Sequence, residues 1–376
     1  MSHIKVGIIY APSMSPGGIQ TLVFELVKGL NQVGIRPDLL WDWQQDWSRI
    51  TGTEEQIEVG FRRAAVPFPP FVRSMMPSWL RARSYQINGQ YADYRIREYD
   101  FIYNFQNGIR MPPGIPNVCW INGPYCIPWP PTGAINKSRI QKAREWLSRK
   151  TSFHFKADMN SVYVTHTEWI ANAFQEQHGI KPIVIWPPAR SRPLSLEGNS
   201  RKGFLFFSRI APCKRPDILI DLAEMLPNDC FTIAGAVNPE DQSFMNMLWE
   251  RKTKKKLDNL LILENPSEPL VIDLLQCHKY FIFSSVWEPF GIVTVEAIQA
   301  GLIPFVHDSG GQVEIVPFNQ LRFTNQEDLI QKIHLFRESS IQEQQELLSL
   351  LQNHIARGSS QNYRREMLNL MNTLMK

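Results

Sequence analysis

The sequence is short of several things that would each settle its class. It has five cysteines, Cys119, Cys126, Cys213, Cys230 and Cys277, an odd number with no C-x-x-C spacing among them. Neither a disulfide framework nor a zinc knuckle is therefore expected, and a reducing, cytoplasmic compartment is the default. No uninterrupted apolar run approaches 18 residues, so no transmembrane helix is expected. The opening MSHIKVGIIYAP enters a strand-like stretch directly, without the apolar region and small-residue cleavage site of a signal peptide. Charge of one sign is also scarce. Forty Lys and Arg against 36 Asp and Glu leave +4, too little over 376 residues to argue for nucleic acid. No internal repeat of about 20 to 50 residues is visible, which excludes solenoids and propellers.

What is present is a long chain with 43% apolar and 11% aromatic residues, enough for two cores of ordinary size and too apolar for disorder. Residues 4–10 read as a buried strand. A turn-rich APSMSPGG follows, then a helix with Ile19, Leu22, Val23, Leu26, Val27 and Leu30 on one face, stopped by Gly34. Strand, glycine loop and helix open a parallel α/β sheet, continued by strands at 38–41, 101–104, 117–121, 161–164 and 182–186. Thr167 fits a helix N-cap, Gly179 the end of that helix, and His166 beside it faces cleft or solvent. Between 51 and 99 the pattern dissolves into an irregular insertion. From Phe61 to Arg97 it holds seven arginines and one acid, Asp93, interleaved with Phe68, Phe71, Trp79, Tyr85, Tyr91 and Tyr94. That mixture suits either an anionic membrane surface or a solvated face.

After a Pro- and Ser-rich linker at 187–202 the alternation restarts with strands at 203–207, 231–234, 260–263, 280–283 and 303–306. Helices are expected near 215–226, near 269–277, after Gly291, and through the last 50 residues. The expected organisation is α/β with two doubly wound Rossmann-like domains facing across a cleft, 1–190 and 191–358. A terminal helix at 359–376 is expected to pack back on the first domain. In open α/β sheets ligands bind beyond the carboxyl ends of the strands.

Two segments carry chemistry. In 287–297, Glu288 and Glu296 are separated by seven residues across a strand end and a helix start. Gly291 lets backbone approach a ligand closely, and the N–H groups of Gly291, Ile292 and Val293 at a helix start can receive phosphate oxygens. The plain alternative makes Glu288 a carboxylate at the helix N-terminus and Glu296 a surface residue. In 208–216, Arg209 and Lys214 follow a strand, with four residues between them. Two fixed cations there can stabilise negative charge developing on a leaving group, Arg across two oxygens and Lys as a point charge.

Together these segments resemble the retaining family-4 glycosyltransferases, which have the GT-B fold. The resemblance implies that Glu288 and Phe290 to Val293 meet the donor sugar and its phosphates, that Arg209 and Lys214 clamp the diphosphate, and that Glu296 holds the ribose. Residues 301–316, with Ser309, Gly310 and Gly311, look like the family's Gly-Gly segment, bordering the nucleotide or forming a simple turn. Gly17 and Gly18 resemble the family's N-terminal Gly-Gly loop, which closes over the donor pyrophosphate or admits the acceptor. Asn122 stands where many members have a histidine that reaches the transferred sugar, and asparagine cannot take up a proton. RIAPCKRPD and WPPAR look most like mannosyltransferases of lipid-linked oligosaccharide assembly.

The implied activity is retaining transfer of a hexose from a UDP- or GDP-linked sugar to a hydroxyl of a glycan, glycolipid or other acceptor. It needs no metal and no cofactor beyond the donor. The implied partners are the sugar nucleotide, a glycan or lipid-linked acceptor and an anionic membrane surface on which the protein sits peripherally, with no nucleic acid. Two rivals stand beside it. A sugar-nucleotide epimerase on the same fold would work without an acceptor, and a catalytically silent subunit would bind donor with neither transfer nor hydrolysis.

Overall fold

The computed structural model describes residues 4–10, 18–40, 57–62, 96–105, 111–123, 157–190 and 201–376, with single positions 72, 75, 76, 80 and 84. The chain divides into two compact units. One holds the described residues up to 123 together with 157–188 and 358–376, and the other holds 189–357.

The first unit is built on a parallel sheet whose described strands run in the order β3-β2-β1-β4-β5-β6-β7. These are β1 (Val6–Ile9), β2 (Asp38–Leu40), β3 (Gly60–Arg62), β4 (Phe101–Asn104), β5 (Asn117–Ile121), β6 (Val162–Thr165) and β7 (Ile183–Val184). Strands β1, β4 and β5 are buried along their whole length, as continuous apolar strands covered on both faces should be. Helix α1 (Gly18–Gln32) buries Leu22, Val23, Leu26, Val27 and Leu30, the stripe its sequence shows. Helix α2 (Glu168–His178) is capped by Thr167, whose side chain accepts the Ile170 N–H, and closes on left-handed Gly179. Strand β3 lies inside the stretch expected to be irregular. It is only three residues long, and Arg62 fastens it through ion pairs with Asp38 on β2 and with Glu98. So short a strand leaves no alternation to read.

Trp120, Tyr103, Tyr363 and Met367 lie at the centre of this unit's core. The last two come from the C-terminal helix (Ser360–Leu374), which buries Tyr363, Met367 and Met371. The Tyr103 hydroxyl donates to the Met367 carbonyl at 2.9 Å. Burial pushes the Tyr103 phenol far above its ordinary pKa, so it stays a neutral donor.

The second unit repeats the plan with β8 (Phe204–Phe207), β9 (Phe231–Gly235), β10 (Leu260–Glu264), β11 (Tyr280–Phe283), β12 (Ile303–His307) and β13 (Arg322–Phe323). The order is β10-β9-β8-β11-β12-β13, all parallel. Its helices are α3 (Ile218–Met225), α4 (Gln242–Lys255), α5 (Glu268–Cys277), α6 (Ile292–Gln299), α7 (Gln312–Ile315), α8 (Gln326–Glu338) and α9 (Ile341–Ile355), and the C-terminal helix above is α10.

Helix α4 was not signalled by the apolar pattern, because it buries only Met245 and Leu248. Charge holds the rest of it. Arg251 and Lys255 both pair with Asp221 of α3, at 2.7 and 3.3 Å, and Lys255 also pairs with Glu224. None of the described helices is long and apolar enough to cross a membrane.

Candidate functional site

In the second sheet the strand order reverses between β8 and β11, the switch point where the loops leaving two neighbouring strands diverge and a ligand can enter. The loop after β8 carries Arg209 and Lys214, and the loop after β11 carries Glu288. The fold thus brings together two segments about 75 residues apart in sequence. Pro212–Lys214 forms one 3-10 turn, begun by a proline that needs no partner for its missing N–H and closed by Arg215 at φ +52. Ser284, the first residue after β11, donates its hydroxyl to the backbone carbonyls at that turn, at 2.6 Å from Arg215 O and 3.1 Å from Lys214 O.

The Lys214 Nζ lies 2.5 Å from Glu288 Oε2, and the pair is largely shielded, with side chains 18% and 12% exposed. Ser285 Oγ donates to the same carboxylate oxygen at 2.8 Å. The ammonium also lies 5.6 Å from the centre of the Phe283 ring. A carboxylate and a cation in contact and shielded from water interact far more strongly than an exposed pair, and each fixes the other's position. Chemically, the cation can receive a departing anionic oxygen and the carboxylate can accept hydrogen bonds from hydroxyls. Arg209 is not part of this contact. Its guanidinium pairs with Asp241 at 3.0 Å and reaches Cys213 Sγ at 3.9 Å. Burial raises the Asp241 carboxyl above its usual range, and Arg209 opposes that shift.

Phe290 is buried, and Gly291, at φ +98, serves as the N-cap of α6. Among the described residues no side chain caps this helix start, so none of them competes there for the first-turn N–H groups around Ile292 and Val293. Glu296 is 5% exposed, which overturns the surface reading of that residue. Helix α6 buries Thr294 through Ile298 in succession, so the Glu296 carboxylate is held inside the unit.

The Glu288 loop is tied to the segment 307–312 at three points. Gly311 N–H donates to Glu288 O at 2.7 Å, Ser309 Oγ accepts the Trp287 N–H at 2.9 Å, and Gln312 Nε2 bridges Ser285 O and His307 O, both at 2.8 Å. Gly310 has φ +71, and a methyl group built on it would sit 2.6 Å from Glu288 O and 2.7 Å from Glu288 N. Only glycine fits there. Ser284, Ser285, Gln312 and Asp241 were not singled out by sequence. Their roles arise from contacts spanning 27 to 72 residues, and nothing in local spacing marks them.

In the first unit, Gly17 lies outside the described residues, and Gly18 is the exposed first residue of α1. Asn122 follows β5, with Oδ1 buried and no hydrogen-bond partner among the described residues. His166 does not face solvent: it is 8% exposed and its ring meets Trp120 edge-on at 5.1 Å. Most of the 51–99 stretch, including Arg63, Arg73, Arg81, Arg83 and Arg95, lies outside the described residues.

Known proteins share this fold and part of this sequence. Residues 190–348 match the model of the family described as "Glycosyl transferases group 1". A GDP-Man:Man(3)GlcNAc(2)-PP-Dol alpha-1,2-mannosyltransferase of Yarrowia lipolytica is 28% identical over 200 residues, covering 46% of this chain and 31% of that protein's length. Among solved structures, a glycosyltransferase from Rickettsia africae ESF-5 superposes with a TM-score of 0.70 at 17% identity, over 100% of both chains. Anabaena Alr3699/HepE in complex with UDP and glucose gives 0.68 at 18% identity, over 99% of this chain and 100% of that one. Sucrose-phosphate synthase from Thermosynechococcus elongatus gives 0.70 at 13%, over 99% of both. The fold is GT-B, and residues 190–348 form a glycosyl transferases group 1 domain.

Proposed function

We propose that this chain is a retaining glycosyltransferase that moves a hexosyl group from a UDP- or GDP-linked sugar to a hydroxyl of a glycan, glycolipid or other acceptor. The observation that carries the reading is the shielded Lys214–Glu288 pair at the sheet's switch point, in a domain of this family. Glu288 accepts hydrogen bonds from hydroxyls of the donor sugar. Lys214 takes an oxygen of the diphosphate, and Arg209 exchanges Asp241 for the same group. The N–H groups of Gly291, Ile292 and Val293 lie at a helix start that favours phosphate, and buried Glu296 holds the ribose hydroxyls. Phe290, buried in the same loop, is part of this donor-binding set. In the first unit, Asn122 Oδ1 has no partner among the described residues and is suited to accept from a sugar hydroxyl, and the Gly17–Gly18 loop and Asn122 complete the proposed set of donor-binding residues.

In the transfer step the bond from sugar C1 to the phosphate oxygen breaks, and its electron pair leaves with the diphosphate. The acceptor oxygen bonds C1 on the same face, and its proton passes to the departing phosphate oxygen. Lys214 and Arg209 meet the charge that a divalent cation meets in other transferases, so the proposal includes no metal. GDP-mannose and a lipid-linked mannosyl acceptor are the first pair to try, since the Yarrowia relative bears those names. A lipid-linked acceptor also fits a cytoplasmic protein docked peripherally on an anionic membrane through the basic and aromatic stretch 61–97.

Thermal-shift measurement across UDP-, GDP- and ADP-sugars tests the reading. A donor at 100 times its dissociation constant stabilises by about 2.7 kcal/mol, a shift of several degrees for a unit of this size. No shift with any sugar nucleotide would contradict it.

A further inference from the structure

The chain enters Glu288 through a strained residue. Trp287 has φ +57, a region that a bulky side chain occupies only when its surroundings impose it, and such outliers gather at functional sites. The Trp287 N–H donates to Ser309 Oγ at 2.9 Å. Ser309 Oγ is in turn 2.8 Å from His307 Nδ1. Which of the two donates depends on the tautomer of the neutral imidazole, and in either case Ser309 Oγ keeps a lone pair for the Trp287 N–H. Burial, with Arg215 nearby, favours this neutral imidazole. Phe323 packs edge-on against the ring at 5.7 Å and fixes its orientation.

We propose that Ser309 and His307 are positioning residues of the sugar-transfer site, holding Trp287 in its left-handed turn so that the Glu288 carboxylate meets Lys214 and Ser285. The inference rests on the proposed function. It is separable from loop anchoring in general, because the Gly311 and Gln312 ties remain when Ser309 loses its hydroxyl. What that loss releases is the dihedral at Trp287, one bond away from Glu288. Threonine keeps the hydroxyl, and glycine at 287 adopts a positive φ unaided.

The test uses the full chain with its donor and acceptor, in Ser309→Ala, Ser309→Thr, Trp287→Gly and the Trp287→Gly, Ser309→Ala double variant. Ser309→Ala is expected to lower kcat on the order of tenfold, the size of one buried hydrogen bond, with the KM for donor and the calorimetric Kd for UDP or GDP changed by less than about twofold. Ser309→Thr restores kcat. In the Trp287→Gly background the further loss from Ser309→Ala shrinks to about twofold or less. Amide exchange of the segment 284–290 rises in Ser309→Ala and stays as in the parent in Ser309→Thr. An unchanged kcat in Ser309→Ala, equal losses in both backgrounds, or a loss confined to nucleotide affinity each overturns the positioning role. A parent chain that transfers no sugar overturns the proposed function instead, and the exchange measurement then decides this inference alone. Exchange at 284–290 that ignores Ser309→Ala refutes it.

Discussion

Replacing Gly310 with alanine places one methyl group between the two loops that form the site. The new carbon would lie 2.6 Å from Glu288 O, 2.7 Å from Glu288 N and 2.7 Å from Trp287 C, where ordinary contacts are about 3.5 to 4.0 Å. All three neighbours are backbone, and Glu288 O is tied to Gly311 N–H, so no flexible side chain can move aside. The left-handed backbone costs alanine about 1 to 2 kcal/mol and the overlap about 1 to 3, together about 2 to 5 kcal/mol. That is a large part of the about 5 to 15 kcal/mol of a typical domain, but the variant should still fold at 25 °C. Gly34→Ala is the control, because its φ is +77 with nothing within 4 Å, so it should cost only the backbone share. Denaturant unfolding of the two variants separates overlap from dihedral. Relief of the overlap must push the Glu288 loop outward by close to 1 Å, which costs turnover about 10²-fold at a well-positioned site. Equal stability losses in Gly310→Ala and Gly34→Ala, or full activity in Gly310→Ala, would refute the close packing of these loops and its role.

Glu288→Gln should cut transfer at least about tenfold and leave nucleoside diphosphate affinity nearly intact, whereas Glu296→Gln should weaken that affinity; calorimetric titration with the reverse pattern would exchange the two roles. Met367→Ala should destabilise the first unit by about 2 to 5 kcal/mol through the cavity it leaves beside Tyr103 and Trp120, and scanning calorimetry that finds less than about 1 kcal/mol would mean α10 is not part of that core. Stability should fall on acidification: His278 is buried between Leu274 O and Thr232 Oγ1, and burial lowers its pKa, as it does that of His307. The neutral rings therefore contribute stability that is fully present above the unfolded value near 6.5 and lost as pH falls through the lower folded values. The unfolding midpoint should drop from about pH 7 to about pH 5.5, less so in His278→Asn, and a flat profile would contradict the burial assigned to these rings.

The parallel strands and amphipathic α1 were legible because each writes its burial into a short contiguous stretch. Strand β11 is four buried residues in a row, and α1 repeats its apolar stripe over four turns. The candidate site was legible for the same reason, since Arg209 with Lys214 and Glu288 with Glu296 each occupy one loop or one loop and helix start. Their meeting was not. The Lys214–Glu288 contact spans 74 residues and depends on β8 and β11 being neighbours, which spacing does not encode. Helix α4 escaped because its stability lies in ion pairs with α3 rather than in an apolar face. The burial of Glu296 escaped because α6 is covered nearly all round, which erases the polar face that periodicity relies on. The bond between Trp287 and Ser309 escaped because no sequence pattern announces a positive φ at tryptophan.

Lys214 and Glu288 are proposed to act together on a nucleoside-diphosphate sugar. Proton NMR of the anomeric region, following the full chain with GDP-mannose and a lipid-linked mannosyl acceptor and then with the UDP-sugars, tests it most directly. The expected result is a glycoside with the anomeric configuration of the donor, nucleoside diphosphate released in equal amount, and a rate lower by about 10²-fold in Lys214→Ala. A product of inverted configuration, or an undiminished rate in Lys214→Ala, would contradict it.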